Sequence, residues 1–456
     1  MKTKLISAIL LLLLADHSVA QTQLKPVQLS GSIKNLNMDT IAVVNTITKV
    51  VHKIGVDKTG AFKISLNLNE GYYNLSFQRE YTGMYLKPGY DLKISADMEN
   101  LDQSIAYAGA GANENNFLTK KYQITEDYLK VNPALAQGVL SEEDFLKQNT
   151  TVYDLRNALL EKTTAIDENF RYLEKNNIEL EKRSDLFNYP MMMRYQMGKP
   201  DFKVSEKYPD AFKGLDVNNE KLIAIPNYSQ VVLNYVYTKN NEKMVAGTVT
   251  DLGIGMLSTL DTVVKSEKIK AFMAVQIAEQ LIEKTKSPEE FYTKFAALVP
   301  DENQRAPIRE KYMAMKSLEK GMPSPDFSFA DMTGKKYSLK DFKGKYIYVD
   351  VWATWCGPCK VEIPHLKKLE SELHNKNIAF VSICTFDEMA KWEAMVKEKE
   401  LSGTQLFAPR DNDFVKKYNI QGIPRFLLID KEGKILSSDA KRPSDPTLKD
   451  ELLSLP

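Results

Sequence analysis

The sequence predicts a multidomain chain with an N-terminal all-β sandwich, a central α-helical region and a C-terminal α/β domain. Three observations lead there. Short alternating strands with turn signals fill the first hundred residues. Long, charged, helix-forming stretches occupy the middle, and beyond Gly321 strands and helices alternate. At 456 residues the chain is too long for a single core.

The first 20 residues read as a secretory signal peptide. Lys2 and Lys4 form a positive start, Leu5 to Ala15 an apolar run, and Ser18-Val19-Ala20 a small-residue cleavage site before Gln21. The run is shorter than the ~20 residues a membrane span needs. Cleavage would leave a soluble, exported chain with no transmembrane segment. Lys and Arg number 61 against 60 Asp and Glu, a neutral balance that argues against nucleic acid or an anionic membrane surface as the main partner. Three cysteines are too few for a disulfide scaffold in an exported protein. Two of them form one motif, so the chain spends its sulfur on chemistry.

Residues 21–110 are expected to form the β-sandwich. Strands are predicted at Val27–Ile33, Ile41–Ile47, Ala61–Leu66, Tyr72–Phe77 and Leu92–Ala96, with turns at Asp57-Lys-Thr-Gly60 and Lys87-Pro-Gly-Tyr90. No catalytic cluster is evident there, and a structural or docking module is the default.

Residues 111–318 are expected to be helical. Ser141-Glu-Glu-Asp opens a helix with a capping-box-like start, running on through Leu173. Further helices are predicted at Ile178–Met197, Leu215–Ala246, Leu260–Thr285 and Pro288–Leu298, with breaks or kinks at prolines such as Pro190. Met191, Met192 and Met193 with Tyr195 and Met197 read as core packing ahead of a flexible binding surface.

Residues 319–456 begin at a hinge-like linker, Gly321-Met-Pro-Ser-Pro325. Tyr346–Trp352 reads as a buried strand and Lys360–Asn375 as a helix, so Trp355-Cys356-Gly357-Pro358-Cys359 lies at a strand-to-helix junction. A Cys-X-X-Cys there places its first sulfur at a helix N-terminus, where unpaired N–H groups and the macrodipole favour the thiolate. Only the thiolate attacks disulfides. A strand at Ile378–Ile383, helices near 388–398 and 413–418, a hairpin of 426–430 with 434–438 and a last helix at 445–453 complete the domain.

The C-terminal 135 or so residues resemble the thioredoxin fold, in the TlpA/ResA-like branch of extracytoplasmic thiol-disulfide oxidoreductases within the AhpC/TSA superfamily. The likeness runs through Gly321-x-Pro-x-Pro-Asp-Phe327, Leu339-x-Asp-Phe-x-Gly-Lys345, Trp352-Ala-Thr-Trp-Cys-Gly-Pro-Cys359, Glu362-x-Pro364 and Gly422-Ile-Pro424. The preceding segment resembles, less specifically, the β-sandwich and helical regions of exported thioredoxin-like proteins of Bacteroidetes-type bacteria. The resemblance implies that Cys356 is an exposed nucleophile and Cys359 a more buried resolving thiol. It implies a base for Cys359 in Asp350 or Glu362, with burial raising their pKa. It further implies a cis-proline at Pro424, a substrate strand pairing with Ile423, and a groove walled by Trp355 beside Gly357 and Pro358. Trp352 is assigned to packing, Pro364 to a helix kink, and Cys384 to a buried apolar thiol.

No cofactor is expected beyond the Cys356–Cys359 disulfide, and no metal. A zinc site would need two more ligands, and His365 and His374 make no matching pair. A peroxidase of the alkyl hydroperoxide reductase class would need Pro and Thr where Val349 and Ala353 stand. Three readings stay open. The leading one is an exported, periplasmic disulfide reductase, fed by a membrane thiol electron donor and acting on exported proteins with disulfides, such as apocytochromes. An oxidase or isomerase runs the same chemistry in reverse. A cell-surface binding protein would hold a partner on its N-terminal domains, with redox secondary.

Overall fold

The computed structural model describes residues 25–77, 80–136, 140–410 and 412–456. The expected signal segment, 1–20, lies outside the described residues. The chain divides into two compact units, Met1–Tyr235 and Val236–Pro456, so the helical stretch contributes to both.

The first unit opens with β1 (Val27–Lys34), β2 (Thr40–Asn45), β3 (Val51–Gly55), β4 (Ala61–Leu66), β5 (Gly71–Phe77), β6 (Glu80–Leu86) and β7 (Asp91–Asp97). A short helix α1 (Leu101–Ser104) and strand β8 (Ala106–Ala110) follow. Among the described residues they form two four-stranded sheets, β4-β1-β7-β8 and β3-β2-β5-β6. Alternation drives burial: in β7, Leu92, Ile94 and Ala96 turn inward while their neighbours face out. With Val27 and Leu29 of β1, Val43 of β2 and Leu75 of β5 they form one buried cluster fed by both sheets. The Asp57–Gly60 turn forms as the sequence predicts. Asp57 Oδ1 accepts from the N–H groups of Thr59 and Ala61 at 2.7 and 3.0 Å, and Gly60 takes a left-handed φ of 77°.

Strands β3, β6 and β8 were not expected. Their sequences, Val-His-Lys-Ile-Gly, Glu-Tyr-Thr-Gly-Met-Tyr-Leu and Ala-Tyr-Ala-Gly-Ala, have weak or interrupted β patterns. Tertiary pairing supplies what propensity lacks. Helix α2 (Ala112–Val131) clamps two sheet edges with consecutive side chains. The Asn115 carboxamide accepts from the Tyr85 N–H and donates to the Tyr85 carbonyl, both at 2.9 Å. Asn116 does the same for Tyr107, at 3.0 and 2.9 Å. Each asparagine stands in for a missing strand neighbour.

After α3 (Pro133–Ala136) come α4 (Glu142–Lys162) and α5 (Glu168–Tyr195). Ser141 caps α4 as expected, accepting from the Asp144 N–H. The helix predicted to run on to Leu173 instead stops at Lys162, and Asp167 caps a new one by accepting from Asn169 and Phe170. Pro190, an expected break, lies inside α5.

Helix α6 (Pro226–Val245) carries the division between the units. The second unit continues with α7 (Leu252–Val263), α8 (Glu267–Leu281), α9 (Pro288–Leu298) and α10 (Glu302–Lys316). Ser266 caps α8 and so splits the single helix predicted over 260–285. Then come β9 (Ser328–Ala330), β10 (Lys336–Ser338), β11 (Tyr346–Trp352), α11 (Gly357–Leu373), β12 (Ile378–Cys384), α12 (Met389–Glu398), β13 (Thr404–Phe407), α13 (Asp413–Lys417), β14 (Arg425–Ile429), β15 (Ile435–Ser437) and α14 (Leu448–Leu453). The strands form one sheet in the order β10-β9-β13-β12-β11-β14-β15. β11 pairs parallel with β12 and antiparallel with β14. All seven residues of β11 are buried, because apolar clusters cover both faces of the sheet.

Residues 321–325 differ from the hinge expected of them. Gly321 N–H donates to Ile435 O at 2.7 Å, Ser324 N–H to Gly433 O at 2.9 Å, and Leu318 joins the core of the sheet. Pro323 pairs with Lys434 just before β15, and Pro325 O accepts from Tyr418 Oη at 2.6 Å. Among the described residues no helix is long and apolar enough to cross a membrane.

Candidate active site

The strand β11 ends at Trp352, and after three intervening residues Cys356 stands as the N-cap of α11. Cys356 Sγ accepts from the Cys359 N–H at 3.2 Å, so this sulfur meets the unpaired donors at the helix start. Cys356 and Cys359 are joined as a disulfide with their Cα atoms 5.3 Å apart. Cys356 was expected to be exposed and is not: it is 4% exposed, against 3% for Cys359. In the disulfide its sulfur turns toward Cys359, and both join a cluster with Trp352, Ala353, Cys384, Trp392, Val396 and Phe407. The exposed groups are its neighbours Trp355, Gly357 and Pro358.

Trp355 is held although it is exposed. Its indole N–H donates to Phe386 O at 3.0 Å. The loop that supplies this carbonyl, 385–388, straps the turn between Trp352 and Cys356 at further points. Thr385 N–H donates to Trp352 O, and Asp387 Oδ2 accepts from the Thr354 N–H. Asp387 also accepts the Cys384 thiol at 3.7 Å. Burial would raise the Asp387 pKa, but hydrogen bonds from Thr354, Glu388 and Cys384 outweigh it and hold the carboxyl below its usual range. Cys384 goes the other way: burial first, then Asp387, push its thiol up. Sequence reasoning missed Asp387, which no motif marks.

The two expected carboxylates occupy different settings. Asp350, in the middle of β11, is buried; desolvation, opposed by Ser382 and reinforced by Glu370 and Glu362, pushes its pKa up to about 7. It shares a cavity of about 10 Å³ with Trp352, Ser382, Glu370 and Gln405. Gln405 donates its Nε2 to Ser402 O and leaves Oε1 buried without a partner, an acceptor on the wall of that cavity. Glu362, on α11, is buried too, but Ser444 occupies both its oxygens, donating N–H to one and Oγ–H to the other at 2.9 Å. The partner lies 82 residues away, beyond any local sequence signal.

On the loop before β14, the Ile423–Pro424 peptide bond is cis. Ile423 is half-buried and packs on the cluster that contains both cysteines. Pro364 lies inside α11. Among the described residues no group of three His, Cys, Asp or Glu side chains could hold a metal ion.

A disulfide capping a helix at the end of a central strand, with a cis-proline loop packed on its cluster, defines a thioredoxin-like redox centre. The Redoxin family matches residues 319–452. Thiol-disulfide oxidoreductase ResA of Bacillus thuringiensis subsp. konkukian is 31% identical over 119 residues, covering 26% of this chain and 68% of that protein. Thioredoxin-like protein YneN of Bacillus subtilis is 33% identical over 122 residues, covering 26% and 69%. A solved thioredoxin domain of a thiol-disulfide oxidoreductase from Bacteroides vulgatus is 30% identical, covering 30% of this chain and 97% of that one, with a TM-score of 0.28. The chain belongs to the ResA-like thiol-disulfide oxidoreductases, and it is a thiol-disulfide oxidoreductase by activity. The family match falls in its C-terminal part.

Proposed function

We propose that this enzyme is exported to the periplasm and reduces disulfides of exported proteins, apocytochromes among them, through the Cys356-Gly357-Pro358-Cys359 dithiol. The observation that supports it best is the Cys356–Cys359 disulfide itself, with Cys356 capping α11. The leader at residues 1–20 carries the export part of the reading.

In this reading the reduced Cys356 thiolate attacks one sulfur of the client disulfide. A mixed disulfide forms and the other client sulfur leaves as a thiolate. Cys359 then loses its proton and attacks Cys356 Sγ, giving the intramolecular disulfide and releasing the second client thiol. Two electrons pass to the client, and a membrane thiol donor returns them. Asp350, poised near neutral pH, takes the Cys359 proton; Glu362, held by Ser444, shapes its field. Trp355, Gly357, Pro358, Ile423 and Pro424 line the client groove, with the Ile423 backbone pairing to an extended client segment. No cofactor takes part beyond the cysteine pair. The two N-terminal sheets form a β-sandwich, and residues 21–110, 111–318 and 319–456 are the domains.

The deciding measurement is the reduction potential of the pair, followed by Trp355 fluorescence in thiol–disulfide buffers. A value near or below about −230 mV is expected for a reductase, and one above about −150 mV would make the protein an oxidase. Cys356→Ser should abolish insulin reduction.

A further inference from the structure

The first unit contains a cleft of about 1050 Å³ that the redox chemistry does not use. Its floor is a closed polar network. Glu174 of α5, wholly buried, accepts from Tyr72 Oη at 2.6 Å, Asn177 Nδ2 at 3.1 Å and Lys121 Nζ at 2.8 Å. Lys121 and Arg156 also reach Glu181, at 3.3 and 2.7 Å. Two cations thus meet two carboxylates, and the floor carries no net charge.

The rim is different. Glu80, Glu99 and Asp102 line it, all exposed, and among the described residues that line the cleft Lys121 is the single basic one, Arg156 lying behind the lining. Two tyrosines stand out from its walls, Tyr81 at 64% exposure and Tyr122 at 46%. Carboxylates beside exposed aromatic faces suit lysine and arginine side chains.

One wall is the open edge of a sheet. Among the described residues β6 pairs only with β5. Tyr85 turns its N–H and carbonyl outward, where Asn115 satisfies both. By the two-residue alternation of an antiparallel ladder, Gly83 and Tyr81 turn theirs outward too. These two line the cleft, beyond the reach of the asparagine clamp. α2 thus closes one end of the β6 edge and leaves the other open onto an acidic cleft. An edge strand with unpaired backbone groups is a template for another strand.

We propose that this cleft docks an extended, lysine- or arginine-bearing polypeptide segment, which adds to β6 as a strand at Tyr81–Gly83 and places its cations against Glu80, Glu99 and Asp102. The occupant is a polypeptide because the edge offers a main-chain ladder, and it is basic because the rim is acidic. The inference stands on the first unit alone and holds for either direction of electron flow.

The test is fluorescence anisotropy with the full chain and a labelled nonapeptide of alternating lysine and valine, against the same peptide with glutamate for lysine. The lysine peptide should bind at least about tenfold more tightly, and its affinity should fall as salt rises from about 50 to about 300 mM. Gly83→Pro removes an outward N–H without touching the β5 ladder, and a Cβ at Gly83 meets nothing within 4 Å. It should weaken binding about tenfold, and Glu80→Gln with Glu99→Gln about fivefold, while insulin reduction stays unchanged. Should Gly83→Pro lose its circular dichroism, the carboxamide pair alone decides. Equal or absent binding of the two peptides, or undiminished binding in the folded variants, would overturn the docking site. Insulin reduction, read separately, reports on the dithiol regardless.

Discussion

Glu174 in the first unit and Asp350 in the second are both buried carboxylates, and the two regions handle the cost of burial in opposite ways. Glu174 lies between Lys121, Tyr72 and Asn177. Burial alone would lower the Lys121 pKa, but Glu174 and Glu181 outweigh it and leave it raised. That pair is a charged structural fixture. Asp350 has Ser382 on its side and two further carboxylates against it, so it answers burial by holding a proton to about pH 7. A compensated buried charge fixes a fold, and an uncompensated one is available for proton transfer.

The largest effect should come from breaking the compensated site. Lys121→Met leaves Glu174 buried without its cation and should cost about 3–5 kcal/mol of stability in a urea titration. Adding Glu174→Gln should recover much of that loss, since the carboxamide needs no counter-charge. If the single variant proved neutral, the floor of the cleft would not be the fixture its geometry describes.

Asp350→Asn should act with the opposite sign. The folded-state pKa lies above the unfolded value, so the native state binds more protons than the unfolded chain between about pH 4 and 7, and stability falls as pH rises through that window. The variant lacks this slope. It should gain about 2–4 kcal/mol over the parent at pH 8, and nothing below pH 4. Its insulin reduction should fall at least about tenfold, and the rise in rate around pH 7 should flatten. A variant that is neither stabilised at pH 8 nor altered in its pH–rate profile would remove Asp350 from the proton path.

Asp387 tests the strap that holds the turn before Cys356, with a third charge logic. Its carboxylate is kept ionised by hydrogen bonds in spite of burial, so its stabilisation is present at neutral pH and lost as pH falls through its depressed pKa. Asp387→Asn should cost about 1–3 kcal/mol at pH 7. It should also shift the potential of the cysteine pair, because the Thr354 N–H it anchors lies two residues before Cys356. An unchanged potential with reduced stability would restrict Asp387 to a purely structural role.

The cysteine pair of the second unit was legible in the sequence and the cleft of the first unit was not, and the reason is physical. Cys356 and Cys359 are marked by local grammar, a β-branched strand followed by a helix start, and the family resemblance marks Asp350 and Pro424. Their partners are marked by neither. Ser444 meets Glu362 across 82 residues, and Asn115 meets Tyr85 across 30, through carboxamide and hydroxyl contacts that leave no periodicity. β6 and β8 were missed for a related reason, since their glycines and alanines have little strand propensity and the edges are completed by side chains of α2. Helix ends in the middle of the chain turned on single caps, Asp167 and Ser266, which outweighed the apolar pattern running past them. The exposure of Cys356 was misjudged because the motif fixes its place in the chain but not how the disulfide turns its sulfur inward.

The smallest effect separates the causes that raise Asp350. Desolvation comes first, and Glu370 and Glu362 add to it by like-charge repulsion. Glu370 lies on α11, buried and bonded to Ser402 Oγ, with its own pKa raised by burial. Glu370→Gln keeps the volume of that side chain and deletes its charge, so the field on Asp350 weakens while its burial does not. The midpoint of the pH–rate profile should move down by roughly half a unit, with the plateau rate retained. Following the Asp350 carboxyl by infrared difference spectroscopy across the same pH range assigns the shift to that group. A midpoint that stays put would remove Glu370 from the causes that raise the Asp350 pKa. The uncompensated site would then owe its poise to burial and to Glu362, the other acidic residue of α11 that acts on it.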